Sequence, residues 1–183
     1  KSRLVGNLYA ELHLFDGFMF KTSFGADYNN LYRRSFSPKY DEINASEKLS
    51  GLSNRNAWNF NWVFTNTLNY TKTFGDHTIN ALLGLESLRN RYEYFTASRD
   101  GFPSDDPNFH FLDAGDVGTQ KNSGSATEYS MVSYFGKIDY NYHDRYLVTF
   151  TLRRDGSSRL GNNKWGNFPA ASVGWRISNE PFF

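Results

Sequence analysis

The 183 residues carry 20 Lys and Arg against 19 Asp and Glu, scattered along the chain, which excludes the clustered basic footprint of a nucleic-acid binder. Cysteine is absent, so disulfide frameworks and thiolate metal or redox sites are excluded as well. Aromatic residues make up 18% of a chain whose mean hydropathy is only -0.64, so rings are abundant without the apolar content of a large core.

The longest strongly apolar run, Ala81 to Leu85, falls far short of the roughly 20 residues that a membrane helix needs. Lys1 opens directly into a strand-like pattern, with no basic segment followed by an apolar one, so an export signal is not expected within the chain.

In chain order, Leu4, Gly6, Leu8, Ala10, Leu12 and Leu14 alternate with Arg3, Val5, Asn7, Tyr9, Glu11 and His13, the period of two of a strand with one apolar face. Asp16-Gly17 makes a tight hairpin turn, and Phe18, Phe20, Thr22, Phe24, Ala26 and Tyr28 continue the apolar face. Residues 29–56 lose periodicity and read as a long loop. Trp58, Phe60, Trp62, Phe64, Leu68 and Tyr70 then form an apolar face opposite Asn59, Asn61, Thr65, Thr67 and Asn69.

After the short turn at Gly75-Asp76, Ile79, Ala81, Leu83 and Leu85 oppose Asn80, Leu82, Gly84 and Glu86 in a strand that runs to about Tyr94. A second long loop is expected over 95–128, rich in Gly and Pro. Tyr134, Gly136, Ile138, Tyr140 and Tyr142 form the next apolar face, and His143-Asp144-Arg145 the third short turn. Tyr146, Val148, Phe150 and Leu152 precede an intermediate loop over 155–165, and Ala171, Val173, Trp175 and Ile177 form the last apolar face.

The pattern therefore predicts an all-β chain of seven strands whose connections run short, long, short, long, short, intermediate. Tight turns on one side and long loops on the other are the build of an antiparallel transmembrane β-barrel. Phe15, Phe18, Phe74, Tyr142 and Tyr146 flank the short turns, while Tyr28, Trp58, Phe60 and Tyr94 lie toward the long loops, as two interfacial girdles would place them. Sliding the first strand by one residue would turn Arg3, Glu11 and His13 to lipid, where a basic residue at mid-bilayer costs about 2 to 4 kcal/mol.

Candidate sites are sparse. Arg154, Asp155, Gly156, Ser157, Ser158 and Arg159 read as a polar turn in which Gly supplies positive φ and Asp and Ser bond local backbone. No helix start follows it, so a backbone phosphate cradle is not expected. His13, His77, His110 and His143 are isolated, and no metal or cofactor site is expected. Neither paired carboxylates nor a Ser, His and Asp constellation stands out, so no catalytic residues are assigned. Tyr32, Arg33, Arg34 and Tyr40 in the first long loop, and Phe109, His110 and Phe111 in the second, are the candidates for contact with substrate or partner.

The run Tyr134-Phe135-Gly136-Lys137-Ile138-Asp139-Tyr140-Asn141-Tyr142-His143-Asp144-Arg145-Tyr146-Leu147, then Leu152 to Arg159, Trp165-Gly166-Asn167-Phe168-Pro169 and Gly174-Trp175-Arg176-Ile177, resembles the SusC/RagA family of TonB-dependent outer-membrane transporters. Ala81 to Glu86 and Gly101-Phe102-Pro103-Ser104 fit the same family less distinctively, and Leu160 and Ala170-Ala171 depart from its usual Phe and Ser-Val.

The resemblance implies a stretch of the wall of a plugged barrel of about 22 strands, with signal peptide, TonB box and plug lying outside this chain. It implies import of oligosaccharides or peptides across the outer membrane of a Gram-negative bacterium of the Bacteroidota type. A SusD-like surface lipoprotein and TonB would be the partners, lipid would cover the apolar face, and no enzymatic chemistry is implied. Phe183 resembles the aromatic terminus of an outer-membrane protein, but Asn179-Glu180-Pro181-Phe182 resembles an internal turn of the family. The rival expectation is a soluble β-sandwich or propeller that binds glycans on Trp and Tyr platforms and buries Phe20, Phe24, Leu83 and Val148 in a core.

Overall fold

In the computed structural model, residues 1–42, 45–47 and 49–182 are described. Ile43, Asn44 and Lys48, within the first expected long loop, and the terminal Phe183 lie outside the described residues.

The chain is all-β. Strands β1 (Ser2–Phe15), β2 (Phe18–Ser37), β5 (Gly51–Phe74), β6 (His77–Asp100), β7 (Lys121–Tyr142), β8 (Tyr146–Ser157) and β9 (Trp165–Trp175) form one antiparallel sheet in the order β1-β2-β5-β6-β7-β8-β9. Every strand of that sheet lies beside its neighbours in sequence, as successive hairpins dictate. A separate two-stranded hairpin, β3 (Tyr40–Glu42) and β4 (Ala45–Glu47), lies in the first long connection.

The short turns have the backbone that tight hairpins require. Gly17 and Gly75 take φ of 80° and 55°, and in the third turn His143 and Asp144 take φ of 51° and 54°. Such left-handed positions let the two-residue turns at 16–17 and 75–76 and the three-residue turn at 143–145 match the twist of the flanking strands.

The long loops are shorter than their lack of periodicity suggested. β2 continues to Ser37, β5 starts at Gly51, β6 reaches Asp100 and β7 starts at Lys121, so the expected limits 29–56 and 95–128 contract to 38–50 and 101–120. Strand pairing needs only backbone partners; once neither face has to be apolar, the strand persists while its alternation vanishes. For the same reason Asp155 to Ser157 belong to β8, and the third connection runs from Ser158 to Lys164. Ile177 leaves the strand and opens a 3₁₀ turn, Ile177–Asn179, because β9 stops at Trp175.

The chain divides into two compact units. One comprises 1–4, 27–60 and 91–128 and carries the first two long connections; the other comprises 5–26, 61–90 and 129–183 and carries the three short turns and the third connection. Among the described residues the buried hydrophobic ones are Leu52, Ala57 and Phe102, all in the first unit. The second unit leaves its apolar face open: Leu83 is 65% exposed, Ile138 52%, Val148 45% and Val173 85%. A sheet that alternates so regularly yet buries so little of its apolar face presents that face to something outside these residues.

Candidate functional site

The register of the second unit sorts side chains by face. Gly136, Leu152 and Pro169 form one row, Ile138, Phe150 and Ala171 the next, Tyr140, Val148 and Val173 the third, and Tyr142, Tyr146 and Trp175 the last. Three rows of mainly small and aliphatic side chains, with Phe150 and Tyr140 among them, thus end in a wholly aromatic row beside the short turns. Rings continue there: Tyr142 stacks on Tyr146 at 6.3 Å, Phe15 meets Phe18 edge-on at 5.3 Å, and Phe18 packs on Tyr70 at 4.4 Å. At the opposite end of the same face, Tyr134 stacks on Trp165 at 6.0 Å. Amphipathic rings at both limits of an apolar band are the girdles of a membrane-spanning barrel.

Glu180, which sequence reasoning missed, is held against the turn-side girdle. Its carboxylate accepts from Tyr146 Oη at 2.8 Å, Trp175 Nε1 at 2.9 Å and Arg145 Nη1 at 3.3 Å, and its side chain is 7% exposed. The indole N–H of Trp175, followed by the Tyr146 hydroxyl, holds this carboxyl below the usual glutamate value, against the opposing effect of desolvation. Its place in the Asn-Glu-Pro-Phe turn was visible, but not the two rings that converge on it.

The other face is polar and paired. In the second unit Lys21 bonds Glu11 at 2.8 Å, Lys137 bonds Asp139 at 2.9 Å, and the Thr149 hydroxyl donates to Asp139 at 2.7 Å. Arg153 is the hub of a network across four strands. Its Nε donates to Asp155 at 2.8 Å, and its Nη2 donates to Ser133 at 3.0 Å and to Glu86 at 3.3 Å. The Thr65 hydroxyl donates to Glu86 at 3.3 Å. The Phe135 ring covers the guanidinium at 5.4 Å and lies directly over Gly84, whose missing Cβ leaves it that space. The arrangement supplies hydrogen-bonding groups along a wall. It contains no nucleophile beside a base, and no cluster of metal-ligating side chains occurs among the described residues.

Gly156 lies in β8 without the positive φ expected of a turn glycine, because the strand runs through it, and the motif residues tie three strands together. The Gly156 Cα lies under the Trp165 indole, whose carbons come within 2.9 Å of where a Cβ would stand. The Ser157 N–H donates to the Lys164 carbonyl at 3.0 Å, closing the third connection. The Ser158 N–H donates to the Ser130 carbonyl at 3.0 Å, and the Ser158 hydroxyl accepts from the Ser130 N–H at 2.9 Å. Arg159 lies over Tyr129 at 3.9 Å, and Arg154 over Trp165 at 5.0 Å.

The contact candidates fall in the first unit and are only partly brought together. Tyr32, Arg33 and Arg34 lie on β2 rather than in a loop, because that strand outruns its apolar pattern. The connection 101–120 folds onto the same strand: His110 stacks on Phe36 at 3.7 Å, Phe36 meets Phe102 edge-on at 5.7 Å, and Arg34 lies over Phe111 at 5.6 Å. Ser50, itself buried, accepts from the Phe102 N–H at 3.0 Å, and Arg99 donates to the carbonyls of Asp113 at 3.4 Å and Gly115 at 3.3 Å. Tyr32, Arg33, Tyr40 and Phe109 are exposed and outside these stacks. Phe36, Phe102 and Arg99 carried no periodic signal, since their partners are distant in sequence; the Gly101-Phe102-Pro103 run was the one trace of them.

No family model matches the chain. It is 35% identical over 176 residues to TonB-dependent receptor P39 of Formosa agariphila, a match covering 95% of this chain and 17% of the receptor. It is 34% identical to TonB-dependent receptor P3 of the same organism, covering 96% of this chain and 18% of that receptor. To TonB-dependent receptor SusC of Bacteroides thetaiotaomicron it is 32% identical over 126 residues, or 68% of this chain and 12% of SusC.

Among solved structures, the RagAB peptide transporter superposes with a TM-score of 0.87 at 26% identity, over 96% of this chain and 20% of that one. The RagAB peptide importer in its open-open state gives a TM-score of 0.88 at 25% identity, over 98% and 20%. The chain thus spans less than a fifth of the curated relatives it matches. Two-faced strands between aromatic girdles, joined to these likenesses, define the class: TonB-dependent receptors of the outer membrane. Within it, the chain belongs to the SusC/RagA family of TonB-dependent transporters.

Proposed function

We propose that these residues form a stretch of the wall of a plugged outer-membrane barrel that imports oligosaccharides or peptides. In this reading a SusD-like lipoprotein delivers cargo at the long-loop side, and TonB, acting on parts of the protein outside this chain, opens the path. The wall itself performs no covalent chemistry. It holds lipid outside and lines a polar lumen with groups such as Arg153, Glu86, Ser133 and Thr65.

The observation that carries the reading is the run of three apolar rows ending in the Tyr142, Tyr146 and Trp175 row, left open on the face opposite the paired charges. A peptide cargo is supported by the likeness to RagAB, a peptide transporter, and an oligosaccharide cargo by the hydroxyl and amide groups of the polar face. The loop-end stack of Arg34 on Phe111 and His110 on Phe36, with exposed Tyr32, Arg33, Tyr40 and Phe109 nearby in sequence, is the candidate surface for lipoprotein or cargo.

The intact protein is expected in detergent-extracted outer membrane, with a gel mobility that changes on heating. Recovery as a soluble monomer in the periplasm or cytosol would overturn the assignment. A soluble glycan-binding sandwich or propeller would bury Leu83 and Val148, which are 65% and 45% exposed here.

A further inference from the structure

Arg153 and Arg154 are neighbours that face opposite ways and meet opposite fates. Arg153, on the polar face, is saturated by Asp155, Glu86 and Ser133. Arg154 pairs in register with Tyr134 and Asn167 on the apolar face, lies over the Trp165 ring at 5.0 Å, and has no ion pair with a described carboxylate. Lys164 likewise has none, and with Trp165 it lines a cleft of about 220 Å³ whose other walls include Ser130, Val132, Gly156 and Ser158.

The level of this group along the strand matters. On β8 the apolar-face column reads Tyr146, Val148, Phe150, Leu152, Arg154. Eight residues at about 3.3 Å per residue, in a strand tilted by roughly 40°, rise about 20 Å. The lipid-facing band of such barrels is about 25 Å tall between its girdles. With Tyr146 in the turn-side girdle, the Arg154 backbone therefore stands within about 5 Å of the far limit of the band, in register with Tyr134 and on the side of the longer connection. From there a side chain as long as arginine reaches the level of head groups in the outer leaflet.

We infer that Arg154, Asn167 and Lys164, around Trp165 and Tyr134, form a docking site for the phosphate-bearing head group of an outer-leaflet lipid. A guanidinium presents a planar donor fork that matches phosphate, and an ammonium adds a second cation. Trp165 and Tyr134 would lie against the upper acyl chains while the charges reach the phosphate, the amphipathic placement that interfacial rings favour. An uncompensated cation in contact with lipid is unfavourable at mid-bilayer and nearly neutral at the interface, where an anionic lipid turns it into an attraction. The inference rests on the outer-membrane assignment and adds a named lipid contact to it.

The test uses the full-length transporter in mild detergent, first checked for its heat-dependent gel shift. Absence of that shift in the parent protein would count against the outer-membrane assignment itself and is thereby separated from the lipid site. Binding of purified phosphorylated lipid A and of the same lipid after enzymatic dephosphorylation is then measured by native mass spectrometry. The parent is expected to prefer the phosphorylated form. Arg154→Ala with Lys164→Ala should weaken that binding about thirtyfold, from about 1 kcal/mol per cation, and Arg154→Lys with Lys164→Arg should preserve it.

Where the double alanine variant does not reach the membrane, Arg154→Gln against Arg154→Lys gives the same comparison. Inorganic phosphate at equal concentration should not displace the lipid. Equal affinity for both lipid forms, undiminished binding by the neutral variants, or displacement by inorganic phosphate would each overturn the site.

Discussion

Gly156 has no side chain because the Trp165 ring occupies the place where one would be, with indole carbons 2.9 Å from an ideal Cβ. Covering a strand glycine with a cross-strand ring pins the register of the two strands. Gly156→Val is expected to displace the indole from Arg154 and Tyr134 and to cost about 1 to 3 kcal/mol as overpacking. The midpoint of the heat-dependent gel shift should fall accordingly. Gly161, around which nothing lies within 4 Å of a would-be Cβ, provides the control, and Gly161→Ala should leave the midpoint in place.

Glu180 gives a second residue-scale prediction. Its folded carboxyl lies below the ordinary glutamate value, chiefly through the Trp175 indole N–H, so the ionised form is the one favoured by folding. The stability it contributes is fully present above the unfolded value of about 4.3 and is lost as pH falls through the lower folded value. Thermal midpoints should therefore be level from neutral pH to about 5 and drop below about 4, and Glu180→Gln should remove that part of the drop.

At the scale of an element, β9 offers a matched pair. Ala170 and Ala171 are adjacent, but Ala170 pairs with Thr151 on the polar face and Ala171 with Phe150 on the apolar face. In the middle of the band, Ala171→Arg should cost about 2 to 4 kcal/mol, whereas Ala170→Arg, directed to the lumen, should change stability by less than about 1 kcal/mol. Equilibrium unfolding of the two variants in detergent or lipid separates them. Equal costs would mean that the two faces have the same environment.

The same element shows what a sequence can carry. Wherever lipid and lumen impose different demands, as along Tyr146 to Leu152 or Ile79 to Leu85, the period of two is clean and the strands were legible. Around Asn29 to Ser37 and Lys121 to Glu128 neither face is consistently apolar, and β2 and β7 run on without a pattern to announce them. The sites divide in the same way. The turn-side rings were legible from their place at strand ends, whereas Tyr28, Trp58, Phe60 and Tyr94 lie inside strands that outrun them, and the stack of Tyr134 on Trp165 at the far limit was not foreseen. The stacking of His110 on Phe36, the cover of Phe135 over Gly84 and the convergence on Glu180 depend on pairings across long stretches of chain, which periodicity does not encode.

Across the sheet as a whole, the open apolar face meets lipid and the opposite face meets water. A soluble sandwich and a barrel wall differ on this point more than on any other, because the same side chains would be sealed inside one and bathed in acyl chains in the other. The contact surface proposed at the loop end, including Tyr32, Arg33, Arg34, Tyr40, Phe109 and His110, has meaning only if this holds. Under it, Phe109→Ala with Tyr32→Ala should reduce co-purification of the surface lipoprotein while leaving the gel shift intact.

The most direct measurement places single spin labels at Phe20, Phe24, Leu83 and Val148, and at Lys137 and Thr151 for comparison, in the intact protein reconstituted in lipid. The first four should be relaxed by oxygen dissolved in the lipid phase and protected from an aqueous nickel chelate, with the reverse at Lys137 and Thr151. Labels at the first four positions that are shielded from both quenchers, as in a protein core, would contradict the account.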